Sequence, residues 1–160
     1  MRHRLLVPVL LIASCVFPSV AAADATAFFG RNSGGDDRST VRGFAFGVSM
    51  LVVGFEFEYA NSTEDQTLLR PSLRTTSGNV SAQTFGLPGF QLYATTGAGI
   101  YRERLGNDQE TALALNSGGG VKVNVRGPVR ARIDYRIFSL RGNPRHKTVQ
   151  RIYAGLNLAF

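Results

Sequence analysis

The sequence predicts an all-β chain of eight antiparallel strands that close into an up-and-down barrel. Two observations predict this fold class. Apolar and polar residues alternate with a period of two through most of the chain, while the period of about 3.6 that marks helices is nearly absent. The segments between the alternating stretches are in turn long and polar or short and turn-like, which is typical of successive hairpins around a barrel.

Composition limits the chain to one globular domain and excludes several kinds of site. It has 160 residues, of which 44% are hydrophobic and 18% charged, a balance that disordered chains lack. The single cysteine, Cys15, excludes an intrachain disulfide framework and a cysteine zinc cluster. The two histidines, His3 and His146, are too few and too far apart for a metal site. We therefore expect neither a metal nor a cofactor.

The first 23 residues have the layout of a secretory signal peptide. Arg2 and Arg4 form a basic start, an apolar stretch follows, and the small residues Ala21–Ala23 precede Asp24. We expect cleavage after Ala23, which leaves residues 24–160 as the barrel domain.

Two alternatives to cleavage involve the apolar stretch Leu5–Val20. An uncleaved transmembrane anchor is disfavoured because Pro8 and Pro18 interrupt the stretch. The segment Ile12–Cys15 resembles a bacterial lipobox, which would make Cys15 a lipidated N-terminus, but the residues that follow are still apolar. We expect Cys15 to be removed with the signal.

Eight segments carry the strand pattern, and the faces of most of them are clear from the alternation. Phe90–Glu103 is the exception, because Tyr93 and Tyr101 share a face with Gly97 and Gly99. The predicted strands are Ala25–Arg31, Arg42–Met50, Gly54–Asn61, Asn79–Leu87, Phe90–Glu103, Leu113–Val125, Val129–Phe138 and Val149–Phe160.

The connections between these strands predict sidedness. Long and short connections alternate, as in a bacterial outer-membrane barrel with short periplasmic turns and long extracellular loops, and an even strand number places both termini in the periplasm. The long connections are Asn32–Thr40, Ser62–Gly78, Gly106–Thr111 and Ser139–Thr148, and the tight turns are Ser49–Val52, Pro88–Phe90 and Arg126–Pro128.

Alternation alone does not say whether the apolar face meets lipid or a soluble core. A soluble sandwich would carry its charges in water, whereas a membrane barrel encloses them. The end of the chain at Phe160, inside an alternating strand, favours the membrane barrel, as do small residues on the polar face, which suit a narrow filled lumen. These small residues are Gly43, Ala45, Gly47, Gly118, Gly120 and Gly155.

The charges of the polar face favour the membrane barrel as well. Acidic and basic residues there are close to balanced, as a buried set must be. We expect a charge network in the lumen formed by Glu56, Glu58, Asp134, Lys122, Arg130, Arg132 and Arg136.

At this point the chain resembles the OmpA/OmpX-type small outer-membrane barrels, as a barrel domain without a peptidoglycan-binding domain. The resemblance covers residues 24–160 and is carried by the strand order and by three stretches: Tyr93–Tyr101, Gly118–Val123 and the ending Arg151–Phe160. It implies that the last strand is a signal for the barrel-assembly machinery, with Tyr153, Leu156, Leu158 and Phe160 as its residues.

The resemblance also implies a monomer in the outer membrane, surrounded by its lipid and lipopolysaccharide, with a structural or surface-interaction role and a plugged or narrow lumen. Three alternatives stay open: a narrow-pore channel, a soluble periplasmic binding barrel, and a lipid-modifying enzyme with His146 as base. The basic run Arg141–Arg151 lacks the interleaved aromatics of a nucleic-acid platform, so its expected anion is lipopolysaccharide phosphate. We expect no enzymatic activity and no nucleic-acid partner.

The expected assembly signal is testable by deletion. Removing Phe160 should reduce the amount of protein in the outer membrane more than removing Ser77, a residue of the predicted loop Ser62–Gly78. Quantitative blotting of membrane fractions measures the difference. Unchanged membrane levels without Phe160 would remove the support for a signal in the last strand.

Overall fold

The computed structural model describes residues 21–65, 67–84 and 87–160, and they form one closed barrel. Most of the expected signal peptide, residues 1–20, lies outside the described residues, and Ala21–Ala23 begin the first strand. No described helix is long and apolar enough to cross a membrane.

Eight strands run up and down around the barrel, each antiparallel to its neighbours, and β1 closes the ring against β8. This confirms the predicted fold class. The strands are β1 Ala21–Gly34, β2 Asp37–Met50, β3 Val53–Ser62, β4 Ser72–Gln83, β5 Phe90–Leu105, β6 Asp108–Arg126, β7 Val129–Leu140 and β8 Thr148–Ala159.

The strands are strongly staggered. Starting at Ala23 of β1 and moving around the ring through directly paired residues, the path returns to β1 at Ser33, ten residues further along. Such a stagger tilts the strands against the barrel axis, and eight strands then enclose a space just wide enough for side chains. What fills the interior therefore decides whether anything can pass through it.

Strand β7 illustrates how the two faces of the wall differ. Ile133 is 54% exposed and Tyr135 and Ile137 also point outward, while Arg132 and Asp134 point inward and are buried. A soluble barrel would have the opposite arrangement, because water would take the charges and the core the apolar side chains. The apolar outer face is the surface that a transmembrane barrel presents to lipid.

The predicted long loops Asn32–Thr40 and Gly106–Thr111 are wrong. In both places the strands continue, and two-residue turns join them at Gly35–Asp36 and Gly106–Asn107. Gly35 and Gly106 have φ of 55° and 59°, which suits such tight hairpins. The polar residues predicted as loop lie in strands because a hairpin satisfies its own backbone hydrogen bonds even beyond an apolar band.

The region around β4 also differs from the prediction. The strand begins at Ser72 rather than Asn79 and ends at Gln83 rather than Leu87, and β5 begins at Phe90. The outward residues of the first half of β4, such as Arg74 and Gly78, are not apolar, so the alternation was not visible. Ser77 lies inside the barrel at 4% exposure, so Thr67 of the β3–β4 connection is the better control for the Phe160 deletion.

The structure decides the parity of β5 that the sequence left open. Tyr93 and Tyr101 point inward and are buried. Room for the Tyr93 ring comes from glycine on the adjacent strand β6, since a Cβ on Gly120, the residue paired with Tyr93, would lie 2.5 Å from the Tyr93 hydroxyl. The tyrosines and the glycines of this sheet therefore belong to the same filled lumen.

The outward direction of Ile133 is testable by charge. Ile133→Arg should lower the free energy of unfolding by about 2–4 kcal/mol, because it places an arginine among lipid tails. Thermal unfolding in detergent, with Ile133→Ala as the matched control, measures the effect. A harmless arginine together with a costly alanine would mean that this face packs in a core.

Candidate functional site: the charged lumen

Four acids and four bases of the inner face form ion pairs inside the barrel. Their equal number matters because an uncompensated charge in a water-poor interior costs several kcal/mol. The acids are Asp24, Glu56, Glu58 and Asp134, and the bases are Lys122, Arg132, Arg136 and Arg151.

The centre of the network joins opposite walls of the barrel. Arg132 and Arg136 stand on β7 and reach across to Glu56 on β3, with nitrogen–oxygen distances of 2.5 and 2.6 Å. Asp134 lies between the two arginines in sequence and contacts both, at 3.0 Å from Arg132 Nη2 and 2.9 Å from Arg136 Nε. One carboxylate on each wall thus holds the same two guanidinium groups.

Glu58 forms the second centre, one inward position further along β3. Arg136 Nη1 lies 3.1 Å from its Oε2 as an ion pair without an aligned hydrogen bond, and Arg151 Nη1 donates to its Oε1 at 3.0 Å. Arg151 Nε donates to Asn32 Oδ1 at 2.8 Å, and Arg151 Nη2 donates to Thr75 Oγ1 at 3.0 Å. Every edge of this guanidinium therefore has a partner.

Two tyrosines complete the network. Tyr93 donates its hydroxyl hydrogen to Asp134 and accepts a 2.7 Å hydrogen bond from Arg132 Nε, while the Arg132 guanidinium carbon lies 4.8 Å from the Tyr93 ring centre. Tyr153 donates to Glu58 at 3.2 Å and stacks on Phe28 with ring centres 4.0 Å apart. The tyrosine rings shield the charged groups from water, and the tyrosine hydroxyl groups supply hydrogen bonds to them.

At one end of the lumen the network is reduced to one ion pair, in which Lys122 Nζ lies 2.5 Å from the Asp24 carboxylate. Arg130, which the sequence also placed in the network, is half-buried near the Gly127–Pro128 turn and makes no ion pair with a described residue. It lies where the barrel opens, and water there can take its charge.

The opposite end is closed by apolar side chains rather than by charges. Six buried residues pack into one cluster inside the barrel, and the Tyr101 hydroxyl donates to the Arg141 carbonyl at 2.6 Å. The cluster consists of Leu73, Tyr101, Ala114, Phe138, Leu140 and Val149. The lumen is therefore filled from the ion pairs up to this end.

Beyond the cluster, Asp37 joins the β7–β8 connection to the rim of the barrel. Its carboxylate lies 2.9 Å from His146 Nε2, 3.0 Å from Arg145 Nε and 3.8 Å from Arg70 Nε. The hydrogen bond from His146 and the charges of both arginines lower the pKa of Asp37 against partial desolvation, so this stabilisation is present above the usual aspartate range and lost as pH falls through the lowered pKa. The groups are partly exposed, which keeps the contribution small.

Four members of the network are not predicted by the sequence pattern. Asp24 is the expected first residue after cleavage, Arg151 belongs to the basic run Arg141–Arg151, and Tyr93 lies on the strand whose parity the alternation leaves open. Tyr153 was assigned to the assembly signal, yet it points inward, whereas Leu156, Leu158 and Phe160 point outward. The inward parity of β8 was the available signal for both Arg151 and Tyr153.

The fold and this filled, charged lumen define a small eight-stranded transmembrane barrel. Several solved structures resemble it in fold, among them the following three. Neisserial surface protein A has a TM-score of 0.69 at 15% identity, over 88% of this chain and 97% of its own. The N-terminal barrel of Pseudomonas aeruginosa OprF has 0.64 at 18%, over 87% and 97%. Ail, the attachment invasion locus protein of Yersinia pestis, has 0.57 at 15%, over 88% and 98%.

These likenesses show the fold, which is consistent with the resemblance to OmpA/OmpX-type barrels, and leave the activity open. The outer membrane enzyme PagL also has it, with a TM-score of 0.52 at 11% identity over 84% of this chain and 98% of its own. No family model and no curated protein sequence matches the chain.

The pairing across the lumen predicts a specific rescue. Arg132→Ala should lower the free energy of unfolding by about 3–5 kcal/mol, because it leaves a buried carboxylate short of a partner. Adding Glu56→Gln should recover part of that loss, since Glu56 is the anion that Arg132 contacts across the barrel. Thermal unfolding of the single and double variants in detergent measures both effects.

Glu58→Gln is the matched control for this rescue. Glu58 pairs with Arg136 and Arg151, so its neutralisation should leave the Arg132→Ala defect in place. Equal rescue by either carboxylate variant would show that net charge matters and the individual pairing does not.

Proposed function

We propose that this chain is a bacterial outer-membrane barrel whose lumen is closed to solutes and whose role is structural or lies in interactions at the cell surface. Both termini would face the periplasm, and the last strand would be recognised by the barrel-assembly machinery. The apolar outer face and the likeness to outer-membrane barrels support this location.

The ion network across the lumen is the observation that supports a closed lumen. Arg132, Arg136 and Arg151 are at most 1% exposed although they are charged and stand inside the barrel. A continuous water column would expose their guanidinium groups, and eight strands leave no second path beside them. A conducting state would require several buried ion pairs to separate together, at several kcal/mol.

A surface role is supported by the β3–β4 and β7–β8 connections, which lie at the end of the barrel where Asp37 begins β2, called the Asp37 end below. They are tied together instead of being loose: Arg145 donates from Nη1 to the Leu69 carbonyl at 2.7 Å and from its backbone to Glu103 at 3.0 Å. Such bonds hold the β3–β4 and β7–β8 connections in one shape, which favours specific contacts. Two of the similar barrels are surface or attachment proteins by name.

Conductance separates the closed barrel from a channel. Purified wild-type protein in a planar bilayer should show no stable single-channel steps. The triple variant Glu56→Gln, Arg132→Met, Arg136→Met should leak more than wild type, because it removes the ion pairs that join β3 to β7. Regular wild-type steps of constant size would favour the narrow-pore channel.

Location and sidedness are tested on cells. The protein should fractionate with the outer membrane and migrate differently on SDS gels before and after boiling, whereas a soluble barrel would appear in the buffer fraction. Tags in the connections 63–71 or 141–147 should be accessible on intact cells, and a tag at Gly127–Pro128 should be protected. The reverse accessibility would contradict the topology.

A lipid-modifying enzyme is the second candidate, because PagL shares the fold and His146 is paired with a carboxylate at 2.9 Å. A triad-type base would also need a hydroxyl nucleophile within reach, and no described hydroxyl bonds to His146. Mass analysis of lipid A from cells expressing wild type or His146→Ala tests it. A lipid change that depends on His146 would favour the enzyme.

A further inference from the structure

Four arginines lie on the outer face of the barrel, close together and near the Asp37 end. Arg42 is on β2, Arg74 on β4, and Arg102 and Arg104 on β5, and all four side chains are exposed. Arg42 is paired with Asn61 of β3, Asn61 with Arg74, and Arg74 with Arg102. Three of the arginines therefore form one row across four neighbouring strands.

This row lacks the compensation that every buried arginine of the lumen has. Arg42, Arg74 and Arg102 make no ion pair with any described residue, and Arg104 donates only to the Gly106 carbonyl at 3.3 Å. One acid, Glu64, lines the same concavity of about 400 Å³ and accepts the Gly106 backbone hydrogen at 2.7 Å. Like charges on paired strand positions repel, so the row is suited to an external anion.

A second concavity lies on the same outer face, further toward the other end of the barrel. It measures about 680 Å³ and is lined by residues of β2–β5. Most of them are apolar or small, such as Phe46, Phe57 and Val80, and the polar residues Glu56, Asn79 and Thr96 also border it. Gly78 lines it too, and a Cβ there would meet nothing within 4 Å. Gly78 is four residues from Arg74 along β4, or about 13 Å, which reaches from a headgroup layer into the hydrocarbon.

We propose that the arginine row and this groove form one binding site for the lipid anchor of lipopolysaccharide, with its phosphates on the arginines and an acyl chain in the groove. The site rests on the proposed outer-membrane location with the Asp37 end outward. Arg42 and Arg102 are three strand spacings apart, about 14 Å, which is wider than one phosphate and suits a headgroup that carries two. A polar cluster above an apolar groove matches a lipid and not a free phosphate.

Native mass spectrometry of the detergent-purified protein, titrated with diphosphorylated lipid A, tests the site. The variant Arg74→Gln, Arg102→Gln should bind about tenfold more weakly or worse, since it loses two headgroup contacts. The control Arg38→Gln, Arg126→Gln removes the same charge from exposed positions elsewhere and should bind like wild type. Equal weakening of both double variants would overturn the site in favour of diffuse charge attraction.

The groove is tested without changing charge. Gly78→Leu fills space that is open in the structure, so the barrel should fold while lipid A binding falls several-fold. Unchanged binding by this variant would overturn the acyl-chain half of the site. Lipid A without phosphates should bind weakly, and inorganic phosphate in large excess should not displace the intact lipid. Displacement by inorganic phosphate would mean an anion site only.

Heat-modifiable gel mobility and membrane partitioning, measured for every variant, distinguish failure of the lipid site from failure of the proposed function. If the folded wild type partitions into membranes but does not prefer diphosphorylated lipid A, this inference fails and the proposed function stands. If the wild type is found in the soluble fraction, the proposed function itself fails, and the lipid site fails with it.

Discussion

The compensation of buried charge is the constraint on which the rest of this barrel depends. Eight charged side chains share a lumen that protein atoms fill, and each would cost several kcal/mol if left alone. Apart from the contacts of Asp134 with its neighbours on β7, the partners stand on different strands, so the stagger of the sheet must bring them to the same height. The contacts of Glu56 with both Arg132 and Arg136 exist only in the observed register.

Other features of the lumen follow from that constraint. Guanidinium groups have five donors in a fixed plane, so Arg151 needs an amide and a hydroxyl besides its carboxylate. Tyrosines supply both a ring that excludes water and a hydroxyl that bonds, which is how Tyr93 serves Arg132 and Asp134. Glycine at position 120 then leaves the space that the Tyr93 ring requires.

The same residue type has opposite roles on the two sides of one wall. Inside, arginines are paired with carboxylates of the chain and fill the barrel, which favours a closed lumen. Outside, Arg42, Arg74 and Arg102 make no ion pair with a described residue, which favours a ligand supplied by the membrane. A charge near the interface costs far less than one at the midplane, so the outer row is tolerated until an anion neutralises it.

The sequence by itself determined the number of strands and the faces of those with clear alternation, because a period of two is a local property that needs no partner. It placed Arg132, Asp134 and Arg136 on one face of β7 for that reason. It did not determine the two-residue turn at Gly106, the inward direction of Tyr93, or the choice of Glu56 over Glu58 as the partner of Arg132. Only the tertiary structure decided these, because they depend on hairpin registers that sum around the ring, and a shift of one residue would reverse every face.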